Sequence, residues 1–283
     1  MKRPQFITAF AGICLVALLY FFGKTEATNK SSETQTGNLS AIKAASFYNE
    51  DSMLAEAKLK ISVEQGLRLE QLENSISRGA IKDQQLKIYH QLSHFWSDSA
   101  QAFDAYSWYE AQAARLESSE KNLIFAARLF LEGLRQETDP KKRKWKALQA
   151  KELYERSLSI NPSNDSSKVE LGISHIYGGI SETPMEGIQK IIGVLTKDSS
   201  NIYALMTLAD ASIFSGQYEK AIDRLKKVNT LEPSNLDVIL KLADVYAMTG
   251  KKKEAIAWYN KSLSLIKRAD WKQEVEKRIS ELK

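Results

Sequence analysis

Apolar residues recur three and four positions apart through most of the chain after residue 40. This is the spacing of one face of an α-helix. Nothing alternates with period two over a useful length, so we expect no β-sheet. The segment ETDPKKRK, which precedes Trp145, is predicted to be a turn. The pattern predicts two short helices in residues 40–80 and further helices at 86–96, 100–116, 122–134 and 145–162.

The N-terminus has a different pattern. An apolar run of 18 residues, from Phe6 to Gly23, follows Lys2 and Arg3. As a helix it would span about 27 Å, close to the thickness of a membrane's hydrocarbon core. Only a weak cleavage signal follows it, and Ile13 stands before Cys14, where a lipoprotein signal requires a small residue. Residues 1–24 are therefore predicted to be a transmembrane signal anchor, with a cleaved signal peptide as the alternative.

The charges that flank this run indicate its orientation. Lys2 and Arg3 favour a cytoplasmic N-terminus, with the body of the protein on the other side. In a Gram-negative bacterium that side is the periplasm. A cytosol-facing receptor on a eukaryotic organelle is a further possibility, because charge bias does not name the membrane. Residues 25–39 are polar and without apolar period, so they are predicted to be a flexible tether.

The C-terminal half of the chain repeats itself every 34 residues. Small residues, large apolar residues, glycine and proline return at equivalent places in successive copies. An earlier copy begins three residues early, so it has a longer internal turn, GGISETP. The residues that carry the pattern are Leu242, Ala243, Tyr246, Gly250, Ala255 and Tyr259; Leu208, Ala209, Gly216, Ala221 and Pro233; Leu171, Gly172 and Gly187; and Ala150 and Tyr154.

This pattern resembles the tetratricopeptide repeat, a helix–turn–helix unit of 34 residues. The resemblance is firm over 140–266 and loose before that; Ser212 stands where the family usually has Tyr, and Lys267 where it has a closing proline. It implies an all-α solenoid that coils into a right-handed superhelix. Small residues would lie where two helices approach closely, and large ones would fill the space between repeats.

The end of the chain completes this organisation. Residues 267–283 place Trp271, Val275, Ile279 and Leu282 on one helical face, as expected for a helix that caps an open solenoid. The predicted domains are the anchor (1–24), the tether (25–39), an N-terminal helical cap region (40–80), the repeats (81–266) and this capping helix.

Composition narrows the class of protein. The formal net charge of +5 comes largely from the N-terminus: beyond residue 30 there are 36 Lys and Arg against 34 Asp and Glu. A nearly neutral body argues against nucleic-acid binding. The only cysteine is Cys14, so the body has neither a disulfide nor a cysteine metal site.

Motifs that would indicate metal binding, phosphate binding or catalysis are weak. His90 and His94 are four residues apart but lack the Glu of a zinc-binding HExxH, and His175 is the only other histidine. The basic run DPKKRKWK (139–146) could contact phosphate, but it is better explained as a solvated turn with Trp145 tucked inwards. The glycines of 177–188 lack the spacing of a phosphate loop. We therefore expect no enzyme activity, no metal, no cofactor and no small-molecule substrate.

The resemblance also implies a binding surface. In the tetratricopeptide family, peptide partners commonly lie along first-helix residues that face the groove. By repeat position these are Val169 and Tyr177; then Tyr203, Met206, Asp210, Ile213 and Phe214; then Asp237, Leu240, Asp244 and Met248. The same residues could instead be covered by a neighbouring helix of this chain.

The chemistry of these positions indicates the kind of partner. Chaperone-binding members of the family clamp a C-terminal carboxylate with Lys and Asn, whereas Asp210 and Asp244 here are expected to repel one. The aromatic and Met content favours an apolar peptide or helix. The sequence therefore predicts a non-catalytic, membrane-anchored scaffold with an unknown protein partner. The alternatives are a secreted assembly factor after signal cleavage and a non-catalytic subunit of an envelope enzyme complex.

Overall fold

The computed structural model describes residues 48–76, 81–180 and 184–283, and within them it has thirteen α-helices and no β-strand. The predicted anchor and tether lie outside these residues. No helix in the described part is both long and apolar enough to cross a membrane. The helices are α1 Glu50–Lys58, α2 Val63–Ile76, α3 Lys82–His94, α4 Phe103–Glu117, α5 Glu120–Leu131, α6 Pro140–Ile160, α7 Asp165–Gly178, α8 Met185–Lys197, α9 Ile202–Phe214, α10 Tyr218–Leu231, α11 Leu236–Met248, α12 Lys252–Leu263 and α13 Ala269–Leu282. A π-helical turn, Phe95–Ser99, follows α3.

The helices form a linear array of pairs. From α2 to α13 each helix packs against the next one in the chain, and α1 packs against α4. The first helices of successive pairs also touch: α5 contacts α7, and α7 contacts α9. Contacts that run mainly between neighbouring units are the defining feature of a solenoid. The prediction of an all-α, tetratricopeptide-like solenoid is therefore confirmed.

Local signals set where the repeats begin and turn. An asparagine precedes each of α7, α9 and α11, and its side chain accepts a hydrogen bond from the backbone N–H three residues later. The three are Asn164, Asn201 and Asn235. This cap satisfies one of the unpaired N–H groups at a helix start. Between α9 and α10, and between α11 and α12, Gly216 and Gly250 take φ = +72°, a backbone conformation that favours glycine.

The paired helices α7 and α8 approach each other closely at two glycines. In the α9–α10 and α11–α12 pairs, alanines occupy the equivalent crossing. All of these alanines are fully buried. The α7–α8 pair has Gly172 and Gly187 there instead. A Cβ on Gly172 would lie 2.8 Å from the carbonyl oxygen of Gly187 and 2.6 Å from the side chain of Ile191. Both distances are too short for a real carbon contact, so this crossing requires glycine.

Ser212 shows how the fold fills a space that the family usually fills with Tyr. The guanidinium group of Arg224, on the paired helix α10, donates to the hydroxyl of Ser212 and to the carbonyl oxygen of Leu208 at 3.3 Å. In the next repeat the equivalent position is the buried Tyr246. A long side chain from the second helix thus replaces a large one from the first.

The basic run at 139–146 is not a turn. Helix α6 begins at Pro140, and Asp139 caps it by accepting hydrogen bonds from the backbone N–H groups of Lys141 and Lys142. Asp at the N-cap followed by proline at the first helical position is a strong start signal, which outweighs the polarity of KKRK. Trp145 is buried, with its ring 5.5 Å from that of Phe130.

Two lysines of this run, Lys142 and Lys146, form ion pairs within the fold. Lys146 lies between two carboxylates, 3.0 Å from Asp104 and 2.8 Å from Glu137, and Lys142 pairs with Glu56 at 2.5 Å. Two of the cations that phosphate or anionic lipid would meet in this run therefore already have partners.

The last helix packs against the final repeat. Val275 and Ile279 of α13 are buried in the same apolar cluster as Tyr259 and Ile266. Leu282 is partly buried beside them, while Trp271 remains about half exposed. The apolar face of α13 thus covers α12, which is the arrangement expected of a capping helix.

Candidate functional site

The exposed surface of α5, α7, α9 and α11, here called the first-helix face, is held together by ion pairs between neighbouring helices. Arg128 of α5 donates to Glu170 of α7 at 2.8 Å, and Lys241 of α11 donates to Asp210 of α9 at 2.8 Å. Each pair joins residues of different repeats. Such pairs fix the register of one repeat against the next.

Two carboxylates expected to repel an anionic partner are neutralised on this face. Asp210 lies between Lys241 and Arg135, whose guanidinium nitrogen is 3.4 Å away. Asp244 accepts a hydrogen bond from the hydroxyl of Tyr259 at 2.5 Å and another from Arg278 at 3.0 Å. The repulsion predicted from the sequence is therefore offset by cations from other elements.

Two large apolar side chains lie exposed at the ends of successive first helices. Phe214 is the last residue of α9 and is 72% exposed; Met248 is the last residue of α11 and is 58% exposed. They occupy equivalent positions, one repeat of 34 residues apart. The ring of Phe214 packs edge-on against that of Tyr177, with 5.3 Å between centroids. These positions form an apolar edge along the first-helix face.

Not every residue predicted to face a partner does so. Val169 is fully buried with Ile191 and Val194, so it belongs to the core and is withdrawn from the predicted surface. Tyr177 is largely buried, although its ring edge meets Phe214. Met206, Ile213 and Leu240 are partly buried and pack on the core, while Tyr203 and Asp237 are exposed.

A cavity of about 380 Å³ opens where α5, α7 and α9 meet. Its apolar walls include Leu131, Leu134 and Ile173, and its rim carries charged groups. Burial and the carboxylate of Glu170 raise the pKa of Tyr203, which also lines the cavity, to about 12. The sequence did not predict this cavity, because the repeat resemblance is loose before residue 140 and no surface position could be assigned on α5. The charged rim consists of Arg128, Glu132, Arg135 and Glu170.

A second cavity, of about 490 Å³, lies between α1, the start of α4 and the start of α6. Its charged lining includes Glu56, Asp104, Lys142 and Lys146, which are paired with one another or with Glu137. Burial and the nearby carboxylates of Glu56 and Asp104 raise the pKa of Tyr48 above its usual range. We see no unpaired charge among these four residues that would single out a ligand.

The histidines do not converge. His90 lies 3.8 Å from Glu117, and His94 lies 3.5 Å from Asp98. Within the described ranges no three His, Cys, Asp or Glu side chains are grouped as metal ligands would be. The spacing of four residues therefore places the two rings beside different carboxylates.

His175 is buried between α7 and α8, and neither ring nitrogen has a hydrogen-bond partner. Burial lowers the pKa of His175 from its ordinary value of 6.5. The charged groups around the ring are Glu186, at 3.4 Å, and Lys190 of α8, with Lys151 and Glu155 of α6. The exposed carboxylate of Glu186 raises the pKa of His175, but the lowering caused by burial is larger.

Because its pKa is lowered by burial, His175 should make the folded protein less stable in acid. Because its folded pKa lies below the unfolded value, the unfolded state binds the proton first, and stability falls as the pH drops through about 6.5. His175→Leu should therefore lose less stability than the parent protein between pH 7.5 and 5.5 in urea unfolding. The double variant His90→Gln/His94→Gln is the control and should follow the parent. Equal pH slopes in the parent and His175→Leu would contradict the prediction.

Comparison with known proteins agrees with the helical architecture. Residues 215–272 match the family model described as tetratricopeptide repeat. No curated protein matches the chain.

Several solved structures are similar at low identity. PilW, described as a widely conserved type IV pilus biogenesis factor, is 17% identical over 70% of this chain and 85% of its own, with a TM-score of 0.48. MamA from Desulfovibrio magneticus RS-1 is 17% identical over 64% and 94%, with a TM-score of 0.44. YrrB, described as a tetratricopeptide protein with an unusual peptide-binding site, is 14% identical over 74% and 99%, with a TM-score of 0.43. At such values nothing follows about the partner or the process served.

Proposed function

We propose that this chain, which is a tetratricopeptide repeat protein, is a non-catalytic scaffold that binds another protein through its first-helix face. The observation that carries the proposal is the pair of exposed apolar side chains, Phe214 and Met248, at the ends of successive first helices. Scattered exposed apolar residues are ordinary. Two at equivalent repeat positions, one of them in contact with a further aromatic ring, form an ordered apolar edge of the kind that proteins bury on binding.

The charges of the face favour an apolar partner segment. Asp210 and Asp244 already have cationic partners from neighbouring helices, so they offer little net charge to a ligand. Side chains such as Phe214 and Met248 adapt well to apolar side chains of a peptide or an amphipathic helix. Phe214 and Met248 end successive first helices, so a partner segment that spans two repeats could offer one apolar residue to each.

The proposed setting is a membrane. The apolar run at residues 6–23 supports an anchor with the repeat body on the periplasmic side of a bacterial membrane, and the right-handed superhelix of the family would form a groove there. A secreted assembly factor and a non-catalytic subunit of an envelope enzyme complex use the same face and remain the alternative settings.

The N-terminus of the mature protein separates these settings. If the anchor is retained, mass spectrometry of protein recovered from membranes should find the peptide that begins at or next to Met1. Protein that begins after residue 24 and is recovered in the soluble fraction would contradict the anchor and support the secreted form.

The interaction itself is tested by crosslinking in membranes followed by a pull-down. Phe214→Glu/Met248→Glu should lose at least about tenfold of the captured partner, because the loss of hot-spot contacts at the centre of an interface costs about 2 kcal/mol or more. Both side chains are exposed, so the variant should keep the parent's circular dichroism and melting temperature.

A matched control variant introduces the same two charges on second helices instead of first helices. Met185→Glu/Leu231→Glu changes two exposed apolar residues on the second helices α8 and α10, and it should capture the partner as the parent does. Undiminished capture by Phe214→Glu/Met248→Glu would show that the first-helix face is not the interaction surface.

A further inference from the structure

The connection between α5 and α6 is longer than the turns within the last two helix pairs. It has eight residues, 132–139, whereas α9 and α10, and α11 and α12, are joined by three. Its residues Glu132, Gly133 and Gln136 line both cavities, so the connection lies between them. The connection therefore borders the cavity that opens where α5, α7 and α9 meet.

Arg135, in the middle of this connection, reaches across two repeats. Its guanidinium carbon lies 4.1 Å from the centre of the Tyr177 ring, and one guanidinium nitrogen lies 3.4 Å from the carboxylate of Asp210. Arg135 and Asp210 are 75 positions apart. A turn residue of the α5–α6 pair therefore contacts the first helices of the next two pairs.

The groups around Arg135 are those that recognise a guanidinium. A flat cation binds to an aromatic face, and a carboxylate can accept its N–H groups. Tyr177 supplies the face, Asp210 supplies the carboxylate, and the exposed ring of Phe214 packs on the edge of Tyr177. The hydroxyl of Tyr177, whose side chain is largely buried, has no hydrogen-bond partner in the described structure. Tyr177 and Asp210 thus contact one guanidinium group, with Phe214 at the edge of the tyrosine ring.

The hold on Arg135 is weak. Its side chain is about half exposed, and the 3.4 Å distance to Asp210 is longer than that of a strong charged hydrogen bond. Exposed ion pairs and exposed cation–π contacts each contribute little. Asp210 also keeps Lys241 as a closer partner, so it is not left unpaired if Arg135 moves away. An incoming arginine can thus replace Arg135 at small cost.

We propose that Tyr177, Asp210 and Phe214 form a guanidinium-binding subsite, that the protein partner fills it with an arginine, and that Arg135 is an intramolecular competitor for it. The inference rests on the proposed function, since it assigns partner chemistry to the same face. It adds that the recognised segment carries an arginine beside the apolar residues that meet Phe214 and Met248.

The test uses the purified full-length protein and the small probe N-acetyl-arginine amide. Arg135→Ala vacates the subsite, so it should bind the probe about tenfold more tightly than the parent. Binding is measured by titration monitored by NMR. N-acetyl-lysine amide should bind less well, because an ammonium group cannot stack flat on the ring of Tyr177. Adding Asp210→Asn to Arg135→Ala should abolish the gain.

Arg268→Ala is the matched control. Arg268 stacks on Trp271 at 5.2 Å and pairs with Asp270, but both of these partners are open to solvent, whereas Tyr177 is buried and Asp210 is partly buried. This variant should gain no affinity for the probe. A gain equal to that of Arg135→Ala, no gain in Arg135→Ala, or a gain that survives Asp210→Asn would overturn the proposal.

This outcome is independent of the pull-down. A partner that is captured through Phe214 and Met248, together with no probe binding by Arg135→Ala, would leave the interaction face standing and remove the arginine subsite. Probe binding by Arg135→Ala without a captured partner would leave the arginine subsite standing and remove the interaction face.

Discussion

Gly187→Ala is expected to lower the free energy of unfolding by about 2 kcal/mol, in the range found when a packed site is overfilled. The new methyl group would collide with the carbonyl oxygen of Gly172 and lie 2.8 Å from the Cβ of His175. Both neighbours are anchored in α7, so α7 and α8 must move apart. In a chain of this size the melting temperature should fall by about 4–8 °C.

The control for this change lies in the same helix. A methyl group added at Gly193, six residues further along α8, would have no neighbouring atom within 4 Å. Gly193→Ala should therefore stabilise the protein by about 0.5–1 kcal/mol, the usual helix-propensity gain. Urea unfolding of the two variants side by side gives the comparison. If Gly187→Ala proved as stable as Gly193→Ala, the close crossing of α7 and α8 would be wrong.

Arg128→Ala is expected to cost about 2–3 kcal/mol of stability, because it leaves the buried carboxylate of Glu170 without its charged donor. The side chain of Glu170 is only 8% exposed, and its second oxygen has no hydrogen-bond partner in the described structure. Replacing the charge as well, in Arg128→Ala/Glu170→Gln, should recover part of the loss. The coupling is measured by urea unfolding of both single variants and the double variant.

Arg156→Ala provides the comparison for Arg128→Ala. The two arginines are similarly exposed, 52% and 57%, but the partner of Arg156, Glu152, is 36% exposed, can be hydrated and keeps Arg115 at 2.9 Å. Loss of such an exposed pair should cost no more than about 0.5 kcal/mol. Equal costs in Arg128→Ala and Arg156→Ala would show that burial of Glu170 does not matter.

The repeat positions show how much of the candidate site could be predicted from the sequence. Phe214 and Met248 were assigned to a surface from the repeat register alone, and both are exposed. Val169 was assigned by the same rule and lies in the core, because its side chain packs with Ile191 and Val194. Asp210 and Asp244 were placed on the face, but their cationic partners were not predicted. Those partners come from other repeats, at separations that no local pattern records.

The sequence by itself determined that the body is a row of helix pairs, since the spacing of apolar residues and the 34-residue period are written locally. It also determined the turns at Gly216 and Gly250, where a positive φ favours glycine. Only the tertiary structure decided what each surface residue meets. Arg135 stacks on Tyr177 and Arg128 pairs with Glu170 because an eight-residue connection and the stacking of repeats bring distant segments together. Periodicity sets which side of a helix faces inwards, whereas the partner of each charge depends on how the helices pack in three dimensions.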